Sequence, residues 1–111
     1  MIWEIEYTKE ADKDFSRLSG PQKLHVTTAL NKVRQNPLPQ SEGGYGKPLG
    51  KSNRLGINLT NYLKVKLRDD GIRVVYKLVK TETKMLIIVI GIRDDDEVYK
   101  IAAKRIRKDL Q

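Results

Sequence analysis

The fold of this chain is decided by residues 63–76, which read Leu-Lys-Val-Lys-Leu-Arg-Asp-Asp-Gly-Ile-Arg-Val-Val-Tyr. Two alternating runs flank an Asp-Gly pair, a pattern that predicts a β-hairpin. Successive strand side chains point to opposite faces. One set is apolar and contains Val65, Leu67, Val74, Tyr76 and Leu78; the opposite set contains the cations Lys64, Lys66, Arg68, Arg73 and Lys77. We expect a sheet with one buried face and a row of cations on the other, which suits a polyanionic ligand.

Composition supports an acidic partner without identifying it. The 111 residues predict one domain, 1–111, with 22 Lys and Arg against 14 Asp and Glu, a formal net charge of +8. Nucleic acid, an acidic protein or a membrane surface would suit this charge. Exposed strand faces are also often basic for solubility and to discourage edge pairing, so the row of cations has this ordinary interpretation as well.

Several classes of protein are excluded or disfavoured by the same sequence. The absence of cysteine excludes disulfides, cysteine zinc sites and thiol nucleophiles. The start, Met1–Tyr7, has neither the basic region nor the apolar region of a signal peptide. The longest apolar run, Met85–Ile90, is far too short to span a bilayer. We therefore expect a cytoplasmic protein with no membrane association.

The remaining elements follow from periodicity and capping residues. Ile2–Tyr7 alternates as a first strand, Thr8 is a candidate N-cap, and a short helix ends near Ser19-Gly20. Pro21 suits the first turn of a second helix, which Asn36-Pro37 stops. Together the two helices form a predicted antiparallel hairpin.

The elements of the second half of the chain are predicted from the same signals. Residues 37–53 predict a loop that carries Lys47 and Lys51, and Arg54–Thr60 fits a short strand or an extended connection. Lys84–Ile92 is a strand apolar enough to be central and covered on both faces. Acidic residues 94–97 suit the start of a final helix. The order β-α-α-β-β-β-α predicts an α+β fold, a small antiparallel sheet with all three helices on its apolar side.

Three single residues have open interpretations. Arg93 stands where a strand gives way to a helix, a common functional position, but an ion pair with Asp95 or Glu97 would also explain it. Tyr99 either packs with Ala103 and Ile106 or lies at the rim of the helix, facing a ligand. His25 is the single histidine, so a paired-histidine ribonuclease is excluded and a structural role is expected. No metal-ligand spacing or nucleotide-binding loop is present, so we predict neither metal nor cofactor.

The hairpin 64–76, Gly91-Ile92-Arg93, Glu97-Val98-Tyr99 and Lys104-Arg105-Ile106 together resemble the RelE family, toxins of bacterial type II toxin–antitoxin modules. The resemblance covers essentially the whole chain and implies a ribosome-dependent endoribonuclease that cuts mRNA in the decoding site. It also implies an acidic antitoxin as partner. The family's functional positions match Lys64, Lys66, Arg73, Arg93 and Tyr99, and Arg68 matches a further basic position. We add Lys77, Lys47 and Lys51 as candidate RNA contacts. Two departures are Ile72, where some members carry an aromatic residue, and a longer stretch at Arg54–Thr60.

The implied reaction is attack by the 2′-hydroxyl of RNA without a metal, leaving a 2′,3′-cyclic phosphate. Tyr99 is the candidate base, with Lys64 and Lys66 favouring its phenolate. Arg73 would hold the scissile phosphate, and Arg93 would stabilise the leaving oxygen. Two alternatives stay open: a gyrase inhibitor of the related ParE branch, which has a similar fold without this set of residues, and an RNA-binding or inactive relative that does not cut.

Overall fold

The computed structural model describes residues 2–49, 61–67, 69–92 and 94–109. Its elements are β1 (Glu4–Tyr7), α1 (Lys9–Ser16), α2 (Gly20–Val33), β2 (Lys47–Pro48), β3 (Tyr62–Leu67), β4 (Ile72–Val79), β5 (Lys84–Gly91) and α3 (Asp95–Asp109), with short 3-10 turns at Gln40–Glu42 and Lys80–Glu82. Within these ranges the strands form one sheet in the order β1-β5-β4-β3-β2. The predicted α+β class is confirmed.

The sheet is mixed rather than wholly antiparallel. Strands β2 to β5 pair antiparallel with their neighbours, as the hairpin pattern predicts. Strand β1 instead pairs parallel with β5, with Glu4 opposite Lys84 and Tyr7 opposite Ile87. Hairpin geometry fixes the direction only of strands joined by a tight turn. Because β1 and β5 are separated by most of the chain, local sequence did not determine their relative direction.

The prediction of an uninterrupted loop at 37–53 is wrong at Lys47–Pro48, which form the edge strand β2 against β3. A strand of two residues has no period to detect. The segment before it is held by the buried Tyr76, whose hydroxyl donates to the Pro37 carbonyl at 2.7 Å. Gly46 lies so close that an added Cβ would be 2.3 Å from the Tyr76 hydroxyl. The predicted strand at Arg54–Thr60 lies outside the described residues.

The predicted helix starts are confirmed by their caps. The Thr8 hydroxyl accepts from the Ala11 backbone N–H at 3.1 Å and begins α1. Ser19 and Gln22 form a reciprocal capping box at α2, with Pro21 in the first turn. Asp94 accepts the Glu97 N–H at 2.9 Å and caps α3. In the described part of the chain, no helix combines the length and apolarity needed to cross a membrane.

Strand β5 is buried on both faces, as predicted, and separates two cores. The first core lies between the sheet and α1 and α2, and includes Leu30, Tyr76 and Ile87. The second core lies under α3, and includes Val75, Val89, Val98, Ala102 and Ile106. The prediction that all three helices lie on one side of the sheet is wrong for α3. Helix α3 takes the opposite face because the neighbouring β4 and β5 present apolar side chains there too.

A bulge in β5 adapts the strand to this second layer. Val75 of β4 lies opposite Val89, and the next residue, Tyr76, lies opposite Ile87, so Ile88 is an extra residue. Ile88 and Val89 consequently both contribute to the second core. In a regular strand, the side chains of two consecutive residues such as Ile88 and Val89 would point to opposite faces.

An ion pair fastens the two layers together beside this bulge. The Arg105 guanidinium of α3 binds both carboxylate oxygens of Asp14 in α1, at 2.7 and 3.1 Å. It also donates to the Ile88 carbonyl at 2.8 Å, while Asp14 accepts from the Ile90 N–H at 3.1 Å. The pair therefore satisfies backbone groups that β5 exposes beyond the end of β1. Both side chains are mostly buried, at 18% and 10% exposure.

Replacing Arg105 by methionine is expected to lower the free energy of unfolding by about 3 kcal/mol, because Asp14 and the Ile88 carbonyl lose their charged donor. Urea unfolding of the purified variant measures this. Arg17→Met, at an exposed arginine, is the matched control and should stay within about 0.5 kcal/mol of wild type. Equal stabilities for the two variants would contradict the bridging role of Arg105.

Burial raises the pKa of Tyr76 above its ordinary value of 10.0. The folded protein therefore keeps the phenol protonated at a pH where the unfolded chain ionises, so this contribution is complete below about pH 10 and lost as the pH rises further. Tyr76→Phe leaves the Pro37 carbonyl without its donor and should cost about 1–2 kcal/mol at neutral pH. At pH 10.5 the difference should shrink by about 0.8 kcal/mol, because phenylalanine cannot ionise. Urea unfolding at both pH values tests this; an unchanged difference would contradict it.

Candidate nucleic-acid interface

The predicted cations share one face of the sheet. Strand pairing sets Lys47 opposite Lys64, Lys66 opposite Arg73, and Tyr62 opposite Lys77. Directly opposed residues in an antiparallel pair project to the same side. We call this side the basic face; its described cations are Lys47, Lys64, Lys66, Arg73 and Lys77. Lys47 is brought there by β2, which the sequence reasoning had not foreseen.

Helix α3 covers only part of the basic face. Its apolar residues pack on Val75 of β4 and on Ile88 and Val89 of β5. Strand β3, with Lys64 and Lys66, lies beyond the helix. Of the described cations, Lys47, Lys64 and Lys66 therefore lie on strands that α3 does not cover, while Arg73 and Lys77 flank Val75 on β4.

Tyr99 stands at the boundary between the helix and this strip. Its ring packs against the second core, and the Lys64 ammonium donates a hydrogen bond to its hydroxyl. The same ammonium lies 4.9 Å from the centre of the Tyr99 ring. Both interpretations of the tyrosine hold at once, since the ring packs while the hydroxyl faces the basic side chains. The contact places a phenol and an ammonium together, the pair of groups that the proposed proton transfer requires.

Arg73 is oriented by the turn that precedes it. Its guanidinium donates to the Gly71 carbonyl at 3.0 Å. Gly71 has a φ of +66°, a conformation that glycine adopts without strain. A carboxylate oxygen of Asp70, in this turn, lies 2.7 Å from the Nδ1 atom of His25 in α2. The histidine thus has a structural partner, in keeping with the role expected for it.

Tyr62 and Lys77 end the basic face on the side away from the turn. The Lys77 ammonium lies 5.5 Å from the centre of the Tyr62 ring, within the range of a cation–π contact. Tyr62 was not singled out from the sequence. Its spacing of two from Lys64 and four from Lys66 is the signal that could have identified it.

Comparison with known proteins agrees with this geometry. No protein-family model matches the chain. The mRNA interferase toxin RelE of Escherichia coli K12 is 26% identical over 106 residues, covering 96% of this chain and 99% of the relative. The free-state structure of an E. coli RelE double mutant superposes with a TM-score of 0.72 and 23% identity, over 96% and 99% of the two chains. The chain is similar to RelE toxins along nearly its whole length.

A toxin–antitoxin complex shows the same fold. The RelBE2 complex of Mycobacterium tuberculosis superposes with a TM-score of 0.64 and 19% identity, over 84% of this chain and 93% of that one. The resemblance to RelE predicted from the motifs is confirmed by the curated relatives. The sequence similarity extends along nearly the whole chain and is not confined to the hairpin.

Three of the predicted site residues, Arg68, Arg93 and Lys51, lie outside the described part of this RelE-like chain. Any ion pair of Arg93 lies outside the described residues as well. Among the residues that are described, no cluster of three or more His, Cys, Asp or Glu side chains has the placement to hold a metal ion. The roles of all these residues stay predictions.

Tyr99→Phe should leave the fold almost unchanged. The substitution removes one half-exposed hydrogen bond and keeps the ring in the second core, so we expect a loss of at most about 1 kcal/mol in the free energy of unfolding. Tyr99→Ala, which also removes the packed ring, should cost at least about 2 kcal/mol. Chemical denaturation compares the two. If phenylalanine were as damaging as alanine, the hydroxyl would have a structural role that this geometry does not provide.

Proposed function

We propose that this protein is the toxin of a type II toxin–antitoxin module and an endoribonuclease that cuts mRNA in the ribosomal decoding site, inhibiting translation. The similarity to RelE along nearly the whole chain supports the family role. The observation that carries the chemistry is the Lys64–Tyr99 hydrogen bond at the open part of the basic face. It joins a candidate proton acceptor to a cationic partner where an RNA backbone would be attracted.

In the proposed reaction the nucleophile is the 2′-hydroxyl of the RNA itself. Tyr99, as phenolate, takes the proton of a 2′-hydroxyl, whose oxygen then attacks the adjacent phosphorus. The bond from phosphorus to the 5′-oxygen breaks, leaving a 2′,3′-cyclic phosphate and a 5′-hydroxyl. The Lys64 ammonium stabilises negative charge on the phenol oxygen. A proton from solvent or from a neighbouring cation completes the leaving group.

The arginines have electrostatic roles in this proposal. Arg73 binds the scissile phosphate, where a planar guanidinium can donate two parallel hydrogen bonds to the oxygens. Arg93 stabilises the leaving oxygen, and Lys66 adds positive charge at the phosphorane. Arg68, Lys77, Lys47 and Lys51 hold the flanking RNA backbone.

The proposed partners follow from the same arrangement. The candidate base among the described residues of the site is a phenol and not an imidazole, so precise orientation of the RNA has to supply much of the rate. We propose that the ribosome provides this orientation and that the protein acts in the cytoplasm without a metal or cofactor. An acidic cognate antitoxin is the expected protein partner, since RelE-like toxins are found in RelBE complexes.

Arg73→Ala should abolish growth arrest and lower mRNA cleavage at least about 100-fold, because the scissile phosphate loses its main positive contact. The measurement is induced expression with mapping of mRNA 5′ ends. Arg17→Ala is the matched control, since it removes the same charge from the exposed end of α1. It should arrest growth like wild type.

Three results would contradict parts of the proposal. A folded Arg73→Ala protein that still arrests growth would remove the phosphate-binding role. Growth arrest by the wild type without new mRNA ends, but with trapped DNA breaks, would instead establish the ParE-like inhibition of gyrase. Tyr99→Phe with full cleavage would contradict the assignment of the base.

A further inference from the structure

We infer that Tyr62 and Lys77 form a binding subsite for the phosphate of a nucleotide flanking the scissile bond. The inference rests on the proposed function, because it takes single-stranded RNA as the ligand of the basic face. It deepens that function, in which Lys77 already contacts the flanking backbone, by pairing Lys77 with Tyr62 in one site for a single phosphate.

Register places this pair next to the proposed reaction centre. Tyr62 lies opposite Lys77, one same-face step along β3 from Lys64, and Lys66 lies one step further in the other direction, opposite Arg73. Each such step is about 7 Å along a strand. This length is comparable to the separation of adjacent phosphates in an extended RNA strand. A strand that sets one phosphate at Arg73 and Lys64 therefore passes Lys77 with a neighbouring phosphate.

The contact between Tyr62 and Lys77 restricts the position of the Lys77 ammonium. Lysine is a long side chain that loses rotamer freedom when it binds, which weakens an isolated surface lysine as a ligand. The Tyr62 ring, packed on the second core, supports the Lys77 ammonium at 5.5 Å from the ring centre. A cation–π contact is electrostatic and leaves the N–H donors of the ammonium able to bind a phosphate oxygen. Tyr62 is thus a positioning residue, and Lys77 is the phosphate ligand.

The chain contains a matched pair with no place in this site. Lys32 lies 5.3 Å from the centre of the Tyr45 ring, nearly the geometry of the Lys77–Tyr62 pair. Lys32 belongs to α2, which packs on the opposite face of the sheet. Substitution of Lys32 therefore removes an equivalent charge and contact away from the basic face.

The test is binding of the full-length protein to a single-stranded oligoribonucleotide made uncleavable by 2′-O-methyl groups, followed by fluorescence anisotropy over a range of salt concentrations. Each phosphate contact on a single strand contributes about 0.7 to the slope of log K against log salt concentration. Lys77→Gln should lower the magnitude of the slope by about this amount. Lys32→Gln should leave the slope as in wild type.

The aromatic ring is tested separately. Tyr62→Phe keeps the ring and should bind as wild type, whereas Tyr62→Leu should weaken binding about two- to fivefold, the equivalent of a cation–π contact. Combining Tyr62→Leu with Lys77→Gln should weaken binding no more than Lys77→Gln alone. If Tyr62 acts only by positioning Lys77, the double variant shows no further loss of RNA binding. General damage to the second core would instead weaken binding by the double variant further.

The outcomes distinguish this inference from the proposed function, because binding of uncleavable RNA requires no chemistry. A Lys77→Gln slope equal to wild type, or a Lys32→Gln slope lowered to the same degree, would overturn the subsite and leave the nuclease proposal standing. Absence of salt-dependent RNA binding by the wild type would overturn it as well. Growth arrest without new mRNA ends, together with the expected Lys77 slope, would reject the nuclease assignment and retain the subsite.

Discussion

The arrangement of this protein depends on a strand with no face available to water. Strand β5 carries Met85, Ile87, Ile88, Val89 and Ile90, all buried. Burial of apolar surface is the main driving force for folding, so both sides of β5 must be covered. Helices α1 and α2 cover one side and α3 the other. Because a single helix is narrower than the sheet, α3 does not cover the far strands β2 and β3, where Lys47, Lys64 and Lys66 lie.

The same constraint explains how the site is held. Tyr99 reaches the basic face because α3 must lie along β4 and β5, and its outer edge then borders β3. The helix is fixed by apolar packing and by the bidentate contact of Arg105 with Asp14. A rigid helix next to a rigid strand sets the phenol against Lys64, whereas a site carried on loops would require additional contacts to define it.

Local patterns in the sequence predicted what local physics determines. The alternation of residues 63–76 predicted both faces of the hairpin, and Thr8 and Pro21 predicted where helices begin. The missed features join residues far apart in the chain: the parallel β1–β5 pair, Lys47 beside Lys64, and Asp14 with Arg105. Neither the spacing of apolar residues nor the capping residues of helices indicates which distant parts of the chain come into contact. The bulge at Ile88 was missed for a related reason, since an inserted residue looks like one more apolar residue in an apolar run.

The contact between Asp14 and Arg105, 91 residues apart in a chain of 111, has a consequence for biosynthesis. During translation the amino-terminal helices emerge before the strand and helix that complete both cores. Contacts of such long range also slow folding. The amino-terminal helices therefore wait, without their partners, until β5 and α3 have been made. A nascent chain from which α3 has not yet emerged lacks the assembled basic face and its tyrosine.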